Sequence, residues 1–109
     1  MRIVDTHLHL VYLDKLSYPW LDGAPALKKQ WDATAYFKEA GPLGIETALH
    51  MEVDVAEKDM EAETRFVLGV HPQIGGAIAA ARPENENFAG TLDRLAAMPG
   101  VKGIRRVLH

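Results

Sequence analysis

Residues 3 to 10, Ile-Val-Asp-Thr-His-Leu-His-Leu, alternate in character, with Val4, Leu8 and Leu10 assigned to one face and Asp5, His7 and His9 to the other. That period of two predicts a half-polar first strand over Ile3 to Leu10. Breakers crowd the next twenty residues, Val11 to Gln30, where Tyr18-Pro19-Trp20-Leu21 is followed by Asp22-Gly23 and Pro25. This predicts a long loop. Asp32 is placed to cap a short helix ending at Ala40 before Gly41-Pro42, and the apolar-rich run Ile45 to Val53 predicts a second strand. Val55 to about Val67 is rich in helix formers and carries charges that suit a solvent-facing side. A loop over Gly69 to Gly76 overlaps the start of a small-residue third strand, Ile74 to Ala81. Phe88, Leu92 and Leu95 then recur at helical spacing between Asn85 and the stop at Pro99-Gly100, and Val101 to Leu108 reads as a fourth strand. Four strands separated by helices, without tight hairpin signals, predict repeated βα units and a parallel sheet.

Composition narrows the function only by exclusion. The 109 residues suit one domain, with 48% hydrophobic and 25% charged positions. A net charge of -3 provides no broad basic field for a phosphate backbone, so nucleic acid is not expected as a partner. The absence of cysteine removes disulfides, thiolate metal sites and cysteine nucleophiles, and suits a reducing cytoplasm. With neither a signal-like N-terminus nor a membrane-length apolar run, the expectation is a cytoplasmic protein without a membrane partner.

The chemistry concentrates on the first strand. Side chains two residues apart point the same way, separated by roughly 6.5 Å of strand rise, so His7 and His9 can converge on one ion. Asp5, one step lower on that face, could hydrogen-bond a ring N–H and fix its tautomer. A surface pair with no ligand is the plainer alternative. The pair's position at the C-terminal end of a parallel strand, where βα proteins assemble active sites, favours function. On the fourth strand, parity turns Arg105 inward and Ile104 and Leu108 toward the helices. Arg105 could therefore hold a substrate carboxylate or polarise a carbonyl, or form a solvated pair with Arg106. Glu52 shares a face with His50 near the end of the second strand, where it could orient a ligand hydroxyl or a histidine, or make a buried structural hydrogen bond. Trp20 could wall the site or simply anchor its loop.

Ile3-Val4-Asp5-Thr6-His7-Leu8-His9, followed by Tyr18-Pro19-Trp20-Leu21, resembles the opening of the amidohydrolase-related hydrolases, in particular the branch of sugar-lactone and pyrone-dicarboxylate lactonases. Glu52-Val53-Asp54-Val55 resembles the end of that family's second strand, and Val101 to Leu108, with Gly103-Ile104-Arg105, its fourth. The resemblance implies an α/β fold: residues 1–109 as the N-terminal four βα units of a (β/α)8 TIM barrel, truncated before the strands that carry the family's later histidines and its aspartate base. It implies a small lactone or ester substrate attacked by water at a polarised carbonyl. His7 and His9 would serve as ligands to a divalent, zinc-like metal or, in members that work without metal, as direct hydrogen-bond donors. The isolated chain is expected to be inactive and to self-associate, or to be a non-catalytic half-barrel. Leu68-Gly69-Val70-His71-Pro72 offers a competing resemblance, to TatD-type metal-dependent nucleases, although its plain reading is a turn on the face opposite the site.

Overall fold

A computed structural model describes all 109 residues. The sheet is parallel throughout, in the order β1 (Ile3–Leu8), β2 (Ile45–Met51), β3 (Ile74–Ala80) and β4 (Val101–Arg105). Helices α1 (Ala33–Ala40), α2 (Met60–Val70) and α3 (Phe88–Ala96) form the connections. Sequential order in a parallel sheet is the pattern of a βα barrel wall, and the chain supplies four of its strands and the three helices between them.

Each element follows from local chemistry. The Asp32 carboxylate accepts the Ala35 N–H at 2.8 Å and caps α1 as its position predicts. Gly44, with φ 89°, turns the chain from the short 3-10 segment after α1 into β2. β3 is built of small residues because it is crowded on both sides. A Cβ on Gly75 would lie 2.6 Å from the Thr47 side chain, and one on Gly76 would lie 2.7 Å from the Gly100 carbonyl.

The helix layer closes over Leu8, Leu10, Phe37, Ala48 and Ile74 at one end of the sheet, and over Ala79, Ala81, Leu95 and Met98 at the other. The long loop has a core of its own, in which Val11, Leu16, Tyr18 and Leu21 pack with Val53 and Val55. It contains two 3-10 turns, Pro19–Gly23 and Pro25–Leu27, and is tied back by a Val11–Trp31 bridge. The breakers along Val11 to Gln30 predict the loop but not its internal packing.

The strands end earlier than the hydrophobic pattern predicts, at Leu8, Met51 and Arg105 instead of Leu10, Val53 and Leu108. The α2 segment starts later, with a 3-10 turn at Glu57–Asp59 before Met60. In β1, Asp5 pairs with Ala48 and Leu8 with His50, so three steps on one strand span two on the other. This β-bulge overturns the simple alternation. Asp5 is turned to the helix side, where the Tyr36 hydroxyl of α1 donates to it at 2.5 Å. Val4 is 56% exposed while Leu8 is buried, so those two do not share a face as the pattern suggested.

Candidate active site

His7 lies at the end of β1 and His9 just beyond it, at the C-terminal mouth of the sheet. Their Nε2 atoms stand 3.0 Å apart, with the rings edge to face. His9 Nδ1 lies 3.0 Å from the Met51 carbonyl oxygen at the end of β2. A carbonyl only accepts, so Nδ1 carries the proton and Nε2 keeps a lone pair aimed at His7. Burial is the main cause that lowers the His9 pKa below the ordinary histidine value, with the charges of His7 and Arg105 adding to it, so the ring is neutral at pH 7.

Asp5 does not touch either ring. Its Oδ1 accepts the backbone N–H of His7 at 3.0 Å while Oδ2 takes the Tyr36 hydroxyl, so it anchors the bulge that presents His7. Those two hydrogen bonds, Tyr36 first, hold the Asp5 carboxyl below the usual range. Tyr36 is correspondingly pushed up to about 12, with burial as the larger cause.

A cleft of about 470 Å³ opens beside His9 and is lined by Trp20, Trp31, Val53, Arg105 and Val107 among others. Such a volume suits a small molecule. Three of the residues singled out from sequence, His9, Trp20 and Arg105, therefore meet in one cavity. Trp20 donates its indole N–H to the Val53 carbonyl at 2.8 Å, so it anchors its loop and lines the cleft at once. Trp31, which no motif singles out, lines the same cleft with its N–H on the Leu27 carbonyl.

Glu52 is 2% exposed and holds Arg105 from two sides: Nε donates to Oε1 at 2.5 Å, and Nη2 donates to the Glu52 carbonyl at 2.7 Å. The second carboxylate oxygen accepts the Asp54 N–H at 2.8 Å. Both oxygens are thus engaged within the chain, and Glu52 presents Arg105 to the cleft. His50, beneath the site, is 1% exposed with Nε2 unpartnered, and burial pushes its pKa down to about 4. His71 lies at the opposite end of the sheet, before β3, stacked on Phe37 at 4.8 Å and accepting the Gln73 N–H. The structure gives it no part in the cleft.

The donor set for a metal is two imidazole nitrogens. No group of three or more His, Asp or Glu side chains converges within the chain. A catalytic zinc site takes three protein ligands, so His7 and His9 fit such an ion in kind and would supply only part of its shell. No helix is long and apolar enough to cross a membrane.

No protein-family model matches the chain, and no curated protein matches it. Among solved structures it is similar to an amidohydrolase 2 from Bifidobacterium longum subsp. infantis, with 27% identity and a TM-score of 0.64. That match covers 75% of this chain and 34% of the other, so the chain spans about a third of the length of the structure it matches. The likeness supports a hydrolase superfamily of amidohydrolase type and agrees with a partial TIM barrel.

Proposed function

We propose that this chain supplies the N-terminal side of the active site of a hydrolase that adds water to the carbonyl of a lactone or related cyclic ester. The observation that carries the reading is the convergence of the His7 and His9 Nε2 atoms, 3.0 Å apart, beside a largely apolar cleft that also holds Arg105. The amidohydrolase likeness supports the reaction class.

In this reading Arg105, fixed by Glu52, meets a substrate carboxylate or the carbonyl oxygen, where a planar cation stabilises developing negative charge. Trp20 and Trp31 wall the cleft with apolar surface that strengthens that interaction by excluding water. Without a metal, His7 Nε2–H donates to the His9 Nε2 lone pair, and a carbonyl oxygen entering beside them would take over that N–H; with a metal, His7 would carry its hydrogen on Nδ1 so that both Nε2 atoms offer lone pairs. His7 and His9 would hold a divalent metal if one binds, and such an ion would supply Lewis acidity and an ionised water. Without it the imidazoles act directly as donor and acceptor.

The reading is tested on the protein at its full natural length, by proton release from a panel of carboxylated lactones. Replacing His9 with alanine is expected to lower turnover by about 10²–10³-fold, the scale of losing one preorganised polar group. Unchanged turnover in a His7→Ala, His9→Ala double variant, or cleavage of phosphodiesters instead of lactones, overturns it. Dialysis against chelator separates the two forms of the mechanism, since full activity after complete metal removal leaves only the metal-free one. The isolated 109 residues are expected to bind ligand without turnover.

A further inference from the structure

Residues 52–54, the turn that leaves β2, organise the cleft. Glu52 holds Arg105, the Val53 carbonyl holds the Trp20 indole, and Asp54 closes the turn at a φ of 49°. The turn is itself held from α2. Glu63 Oε2 accepts the Val53 N–H at 3.0 Å, and this side chain is 1% exposed with its other oxygen, Oε1, buried and unpartnered. A carboxyl buried in this way is costly, and an apolar residue would pack on a helix without that cost. The proposed chemistry does not use Glu63, so its burial calls for a separate account.

We propose that Glu63 is a positioning residue: through the β2 exit turn it fixes where Trp20 and Arg105 stand in the cleft. The groups that face it are Glu52 and Asp54 from the turn, Arg105 from β4 and Tyr18 from the long loop. Burial raises its pKa to about 8, and the Val53 N–H works against that rise. At pH 7 the Glu63 carboxyl is neutral. Above about pH 8 it becomes a second buried negative charge beside Glu52, repelling that carboxylate and offsetting the Arg105 cation. The hold on the turn then changes, and an anion in the cleft meets a weaker positive field.

The chain has two tryptophans, so Trp31→Phe leaves Trp20 as the sole reporter of the turn. In that background, Trp20 emission is expected to shift with a midpoint near pH 8, to lose this transition in Glu63→Gln, and to be altered at every pH in Glu63→Leu. Glutamine keeps the carbonyl that accepts from Val53 and cannot ionise, so rescue by Gln separates positioning from mere bulk. A second arm titrates benzoate and rests on the reading of Arg105 as an anion site. Its affinity is expected to fall about tenfold from pH 7 to pH 9 in the Glu63 protein, the scale of one pKa unit, and to stay level in Glu63→Gln. The same pH transition in Glu63→Gln, or a Leu variant with unaltered emission, overturns the proposal. Should Glu63→Leu fail to fold by circular dichroism, the Gln comparison decides alone. If benzoate binds at no pH while the emission transition follows Glu63, the anion reading falls and the role of Glu63 stands.

Discussion

His50 and Glu63, both buried, push the stability of the fold in opposite directions with pH. The folded pKa of His50 lies at about 4, below its ordinary 6.5, so its neutral burial contributes fully above 6.5 and is lost as pH falls toward 4. Glu63 is raised from 4.5 to about 8, so its contribution is full below 4.5 and is lost as pH rises toward 8. Between pH 4.5 and 6.5 the two slopes cancel, and above 6.5 Glu63 alone lowers stability. Urea unfolding of the wild type should therefore show a flat midpoint over that interval from these groups and a decline toward pH 8. Glu63→Gln should unmask the His50 slope, with stability rising by about 1.4 kcal/mol per pH unit at most between 4.5 and 6.5. A Gln variant that stays flat there would exclude His50 as the titrating group. The sequence made His7, His9, Trp20 and Arg105 visible because imidazole, indole and guanidinium announce chemistry by type. It hid the Met51 carbonyl, which any residue could supply. Glu63 was hidden too, since on a charged helix it reads as one more solvent-facing acid.

Among the elements, α1 rests on a local signal that was legible in full. Asp32→Ala should cost about 0.5–2 kcal/mol of stability, measured by denaturant midpoint, by removing the acceptor for Ala35 N–H. A loss well below that range would mean that tertiary packing of Phe37 holds the helix without its cap. The strand number and order were legible as well, because hydrophobic runs alternate with stops that contain Gly or Pro. Strand ends were not. Leu10 and Val53 are apolar because they pack helices and the long loop, and a pattern of hydrophobic positions cannot distinguish that use from continuation of a strand. The β1 bulge was equally hidden, since Asp5, His7 and His9 keep perfect alternation on paper while the Asp5 carboxylate turns back to bond the His7 N–H.

At the scale of the molecule, β1 and β4 each have one neighbour in the sheet, and Val4, Leu43 and Leu108 are exposed at 56%, 72% and 86%. Open parallel edges and uncovered apolar side chains favour association with another copy. Light scattering of the purified 109-residue chain should give a mass of at least twice the monomer's 12.0 kDa. A stable monomer at micromolar concentration would contradict that expectation.

The two imidazoles are moored to different strands. His7 is fixed within β1 by Asp5, whereas His9 is fixed across the sheet by the carbonyl at the end of β2. Their separation is therefore a gauge of slip between the first two strands, and any change that lets those strands shear would misalign the pair with both histidines intact. Loss of function from substitutions buried far from the cleft, along the β1–β2 seam, is the genetic signature such an arrangement should leave.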